Sequence, residues 1–154
     1  MIRRNRVPAL GILTVIAVSG CALSANTSYV GQFGQPVEAG AVAIAMAKFV
    51  SMSLPGSPGV LLLDPTPANQ ASNTLTPTFA AALRRCGFTV GDGRRPLAGT
   101  THRLRYLVTP LDNGVLARLT IDGTIEGAQF FVRSRGGSLQ PGGPFTVTQM
   151  EAMR

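Results

Sequence analysis

The chain has 154 residues, with 14 Lys and Arg against 7 Asp and Glu, for a formal charge of +7. It contains no Trp, two Tyr, two Cys and one His. That length suits one small core and excludes two. The scarcity of Trp and Tyr argues against a carbohydrate platform or a base-stacking surface. Part of the basic excess sits in an N-terminal segment expected to be removed, and the remainder is too mild for a nucleic-acid footprint.

The N-terminus carries Arg3, Arg4 and Arg6 and no acidic residue. An apolar run from Val7 to Val18 follows, interrupted by Pro8, Gly11 and Thr14. It is shorter than the roughly 20 residues that a membrane span needs. A basic start, a short apolar run and then small residues read as a secretory signal over residues 1–20. Val18-Ser19-Gly20-Cys21 resembles the bacterial lipobox, where small residues precede a cysteine lipidated on its sulfur. The alternative is a plain signal peptide with a chance cysteine. On the lipobox reading Cys21 becomes the first residue of the mature protein and carries a covalent lipid, and no other cofactor is expected. Each buried methylene contributes ~0.8 kcal/mol, and stable anchoring takes more than one chain. Ala22, not Asp, follows the cysteine, which among lipoproteins favours the outer membrane over the inner. Once Cys21 is acylated, Cys86 has no intramolecular partner, so a disulfide framework is excluded. A buried apolar thiol is the expectation for Cys86.

Residues 21–36 have linker composition, small and polar with two glycines and a closing proline. Tyr29, Val30 and Phe33 are out of place in a pure spacer. Two readings stand open: they dock back on the chain's own domain, or they anchor the tether along another protein. The domain itself is expected over 37–150. Residues 37–54 read as a helix, because alanine favours it and Val42, Met46, Phe49 and Val50 recur at helical spacing. The remaining faces are nearly as apolar, so this helix is expected to be buried or flanked on both sides. "LPGSPG" breaks it. The run 60–63 suits a buried strand. A second helix is expected over 77–86, with Thr76 as cap, Pro77 at the first helical position and Gly87 as the left-handed stop. It sets Phe79, Leu83 and Cys86 on one face, and a strand at 88–90 follows. The Gly- and Arg-containing loop "GDGRRPLAG" lacks the phosphate-loop pattern and a following helix.

The C-terminal half reads as a three-strand meander. Residues 103–109 alternate, with Leu104, Tyr106 and Val108 on one face. Asp112-Asn113-Gly114 is a hairpin signal. With Asp112 and Asn113 as central residues, Leu104 faces Ile121, Tyr106 faces Leu119 and Val108 faces Ala117. A second turn at Asp122-Gly123 then sets Ala128 against Ala117 and Phe130 against Val115, and puts Arg103 across from Asp122. The opposite face would collect Arg103, Arg105, Leu107, Leu116, Arg118, Phe131 and Arg133. Such a mixture is unlike solvated surface; either a helix covers it or another protein does. A last short strand is expected at 145–148. The fold class is therefore α+β: a small domain whose antiparallel sheet is packed by two helices.

The sequence offers no chemistry of its own. His102 stands without Cys or carboxylate at ligand spacing, so no metal site is expected. No serine lies in a Gly-x-Ser-x-Gly elbow. The acidic residues are scattered through turns and caps, without a general acid/base pair.

The lipobox "VSGC", the helix "AGAVAIAMAKFV", the segment "TFAAALRRCGFTV", the strands "LRYLVTPLDNGVLARLTIDG" and the ending "GGSLQPGGPFTVTQ" together resemble the TrbH lipoprotein family of conjugative plasmid transfer systems. The resemblance implies a small, non-enzymatic outer-membrane lipoprotein of a type IV secretion, or mating-pair formation, apparatus, facing the periplasm. It would stabilise larger core subunits, in a symmetric ring, by protein contacts through Tyr29, Phe33 and the mixed face of the meander. The competing expectation is a free-standing lipoprotein that binds a small ligand or peptidoglycan in a concave pocket.

Overall fold

Two long apolar alternations, separated by turn residues, pair into the centre of a mixed eight-stranded sheet. The computed structural model describes residues 27–32, 36–56, 59–70, 73–92, 99 and 101–149. The strands are β1 (Tyr29–Val30), β2 (Val60–Leu63), β3 (Thr89–Gly91), β4 (Thr101–Leu111), β5 (Gly114–Ile121), β6 (Ile125–Arg133), β7 (Leu139–Pro141) and β8 (Thr146–Gln149). The helices are α1 (Pro36–Ser53) and α2 (Leu75–Arg85). The sheet order is β3-β2-β4-β5-β6-β7, with β1 also beside β4 and β8 also beside β6. The class is α+β, as the element order predicts. The sheet is antiparallel from β4 onward, but β1, β2 and β3 run parallel to their neighbours.

The β4–β5 register is the one the alternation predicts: Leu104 opposite Ile121, Tyr106 opposite Leu119 and Val108 opposite Ala117. All six side chains are buried beneath the helices in one core cluster. β6 is different. The connection from β5 has three residues, Asp122, Gly123 and Thr124, because Ile121 pairs with Ile125. Asp122 and Gly123 both take positive φ, 51° and 71°. Val115 therefore faces Phe131, not Phe130, and Ala117 faces Gln129, not Ala128. A one-residue slip turns every side chain of a strand to the other face, so Phe131 is fully buried in the core.

Helix α1 lies over this face as its stripe predicts, with Val42, Met46, Phe49 and Val50 buried. Its apolar far side is exposed: Ile44 and Met52 are 58% and 62% accessible. No helix among the described residues is long and apolar enough to cross a membrane. Gly127 of β6 sits directly under the Phe49 ring, where a Cβ would collide with it. The ring stacks in turn on Phe145, with centroids 4.6 Å apart.

Helix α2 begins two residues before the expected start. Thr74, not Thr76, stands at the N-cap without a side-chain bond of its own, and the capping hydrogen bond comes from Asn73 just before it: the Thr76 N–H donates to Asn73 Oδ1 at 2.8 Å. Thr76 lies inside the first turn, and its hydroxyl meets the Tyr106 hydroxyl at 2.7 Å. Phe79 and Leu83 are buried as expected, but Cys86 ends the helix as an exposed free thiol. The burial expectation fails because the face carrying Phe79 and Leu83 runs out at the helix terminus, where Gly87 turns the chain at φ 92°.

Tyr106 is the buried hub of this packing, 1% accessible and edge-on to Phe79. Burial, with a smaller contribution from the Asp64 carboxylate, pushes its phenol above the ordinary 10.0, against the opposing hydrogen bond from Thr76. Below pH 10 the stabilising contribution of the neutral phenol is fully present. It is lost as pH rises past the unfolded value toward the folded one, because the native state then holds a proton that the unfolded chain releases. Alkaline titration of unfolding free energy is expected to show this loss, and Tyr106→Phe is expected to remove it at a cost of about 1 kcal/mol near neutrality.

Candidate functional site

Strands β4, β5 and β6 alternate, so each residue that leaves the core points to the other side of the sheet. Among the described residues no helix crosses that side. Reading from the β4–β5 hairpin downward, the rows are Leu111–Gly114–Val132, then Thr109–Leu116–Phe130, then Leu107–Arg118–Ala128, then Arg105–Thr120–Glu126. Tyr29 of β1 lies beside Leu107. The face is therefore divided. Its upper half is largely apolar, with Leu111 and Val132 46% and 41% accessible, and Tyr29, 37% accessible, adjoins it beside Leu107 at the boundary. Its lower half carries three arginines, Arg103, Arg105 and Arg118, against one carboxylate, Glu126.

Arg103 is held in place by Asp64 at the end of β2, Nε to Oδ1 2.6 Å. Asp64 is 3% accessible and Arg103 half exposed, so the guanidinium is oriented while its outer edge stays wet. The expected pairing of Arg103 with Asp122 is made by the backbone: the Arg103 N–H donates to Asp122 Oδ1 at 2.7 Å. The other carboxylate oxygen of Asp122 meets His102 Nδ1 at 2.6 Å. These contacts tie the β5–β6 turn to the start of β4. Arg118 is solvent-exposed.

Of the expected contact residues, the structure brings Tyr29, Arg103, Arg105, Leu107, Leu116 and Arg118 to this face. Phe131 and Arg133 are corrections. Both lie on the helix-covered side of β6, and Arg133 pairs with the buried Glu38 in the first turn of α1. Phe130 and Val132 take their places. The three-residue connection puts the odd-numbered residues of β6 on the core side, and with Phe130 and Phe131 adjacent the hydrophobic pattern alone does not choose between the two parities. Cys21 and Phe33 lie outside the described residues.

A cavity of about 860 Å³ opens at the carboxyl ends of β2 and β3, beside the start of α2, lined by Asp64, Asn73, Thr76, Arg84 and Asp92 among others. A smaller groove of about 410 Å³ runs between the helices past Ile44, Met52 and Cys86. Among the described residues no three or more His, Cys, Asp or Glu side chains are placed to hold a metal ion.

This architecture defines a two-layer α+β module whose helices cover one sheet face and leave a half-apolar, half-basic face open. Residues 25–151 match the family model of the conjugal transfer protein TrbH, and the chain belongs to that family. It is thus a component of conjugal transfer, in a family of transfer proteins and not of known enzymes. Comparison with the curated proteins and with the solved structures gives no match.

Proposed function

We propose that this chain is a lipid-anchored subunit on the periplasmic side of the outer membrane, where it stabilises the core complex of a conjugative type IV secretion apparatus. The observation that carries the reading is the divided open face. A contiguous apolar patch bordered by arginines has the composition of a recognition surface. Its own sheet fixes the geometry, so a partner need not pay to order it. The arginines favour a partner surface that is acidic beside its apolar centre. The acyl chains on Cys21 supply attachment, and the face supplies selectivity. Repetition of the contact around a closed ring is the arrangement the reading favours.

The experiment is affinity capture from detergent-solubilised envelopes of donor cells. The wild-type chain is expected to retain larger transfer subunits in fixed stoichiometry. Arg118→Glu combined with Val132→Asp, one change in each half of the face, is expected to reduce retention more than about tenfold, equivalent to ~1.4 kcal/mol. Both positions are exposed, so the melting temperature should change little. Retention unchanged in the double variant would sink the reading. The large cavity beside β2 favours a second one, a free-standing lipoprotein that binds a small ligand. Recovery of a monomer with a bound small molecule would support it. Separately, Cys21→Ser is expected to abolish acylation and leave the precursor uncleaved. Intact-mass measurement checks this, and acyl chains on the variant would refute the anchor.

A further inference from the structure

The segment that the sequence presents as a tether is partly built into the sheet. Ser28 is fully buried; its N–H donates to the Pro65 carbonyl at 3.0 Å, and its hydroxyl accepts the Tyr106 N–H at 3.2 Å. Val30 is 3% accessible and pairs with Val108, and the Gly31 N–H donates to the Val108 carbonyl at 2.8 Å. The chain is thus committed to the domain from Ser28 onward. Thr27 follows Cys21 by six residues. At ~3.3–3.6 Å per residue, six residues reach at most about 22 Å. A domain of this size has a radius of gyration of about 14 Å and is roughly 35 Å across. The leash is therefore shorter than the body it holds.

We infer, on the reading that Cys21 is acylated, that the domain is held in one orientation on the bilayer. The corner where the chain enters, between the end of β2 and the start of α2, lies against the lipid headgroups. The entry point is one strand outside β4. From there to β7 the sheet crosses four strand spacings of ~4.8 Å, roughly 19 Å. That straight path runs through the sheet itself, and a leash of about 22 Å that must pass around the outside does not bring the β6–β7 edge to the membrane, so that edge points away from it. The sheet then stands on its β1–β2 side, and its open face looks sideways toward neighbours in the membrane plane.

The corner suits this position chemically. Among the described residues its exposed positions Ala68, Asn69, Thr74 and Pro77 are uncharged. The Asp64 carboxylate there is buried and paired with Arg103. Asp92 and Arg84, of opposite charge, both line the neighbouring cavity. Anionic headgroups therefore meet no net repulsion from the described residues of this corner.

The test uses the full acylated protein, with Cys86→Ser removing the exposed thiol, in vesicles of phosphatidylethanolamine and phosphatidylglycerol carrying a headgroup-bound quencher. A fluorophore is placed on a cysteine substituted for Asn69 or, separately, for Gln140. Quenching is expected to be severalfold stronger at position 69 than at 140. A flexible spacer of about twelve Gly and Ser residues inserted between Asn26 and Thr27 is expected to erase the difference, because the extended reach of the lengthened segment, about 60 Å, then exceeds the domain's width. Equal or inverted quenching in acylated protein overturns the orientation and leaves the anchor standing. A difference that survives the spacer overturns the leash as its cause. Absence of acyl chains by mass spectrometry overturns the anchor reading and this inference with it.

Discussion

Phe49→Ala is expected to cost about 3–5 kcal/mol, the range for deleting a buried aromatic ring, and so to remove a large part of a typical domain's stability. The ring is 2% accessible, lies over Gly127 and stacks on Phe145. It joins α1 to β6 and to the C-terminal segment at one point. Deleting it opens a void that a rigid sheet below cannot fill, because Gly127 has no side chain to rise into it. The complementary change, Gly127→Ala, is expected to cost about 1–3 kcal/mol by overpacking. The two sites are in contact, so they should couple. Phe49→Leu, which withdraws the ring edge, should recover part of the Gly127→Ala loss. Urea unfolding of the two single variants and the double variant measures the coupling, and strict additivity would show that the ring does not rest on Gly127.

Arg133→Ala is expected to cost about 3 kcal/mol, since it strands the buried Glu38 carboxylate. Glu38 is 2% accessible, and its Oε2 has no hydrogen-bond partner among the described residues, so its pairing rests on Oε1 and Arg133. The carboxylate also lies in the first turn of α1, where the helix dipole favours negative charge and limits the loss. Removing both charges is a different matter. Glu38→Gln with Arg133→Met is expected to stay within about 1 kcal/mol of the wild type, because two desolvated ions give way to neutral groups. Chemical denaturation distinguishes the cases. A double variant as unstable as Arg133→Ala would mean that the pair contributes net stability beyond its own desolvation.

Much of the fold is legible in the residues, and the failures have local causes. The stripe Val42, Met46, Phe49 and Val50 fixes which side of α1 is inward. Two-residue spacing around Asp112 and Asn113 fixes the β4–β5 register. The sequence misleads at Asp122-Gly123, where a two-residue and a three-residue turn use the same glycine signal. Asp122 and Gly123, both at positive φ, make the tight turn closed by the Thr124 N–H on the Ile121 carbonyl, but Thr124 is an extra residue before pairing resumes at Ile125, and adjacent Phe130 and Phe131 make either parity acceptable to a hydrophobic pattern. That single residue moves Phe131 and Arg133 from the open face to the core side. β1 was hidden for another reason. Two residues cannot display a period, and Ser28 is buried by backbone and hydroxyl bonds that no hydropathy pattern records. The cap of α2 was misplaced because Asn73 and Thr76 both suit the role, and Thr76 is drawn inward by Tyr106. Of the candidate interface, the β4 and β5 residues were readable from alternation alone. The separation into apolar and basic halves appears only once β6 is in register.

The central claim is that the open face of the sheet recruits partners during conjugal transfer. Transfer frequency from donors expressing Arg118→Glu/Val132→Asp in place of the wild-type chain tests it most directly, with envelope abundance and thermal stability measured in parallel. The account predicts a fall of about tenfold or more at unchanged abundance and stability, matching a loss of ~1.4 kcal/mol or more in partner binding. Wild-type transfer by a folded, normally abundant double variant would contradict it.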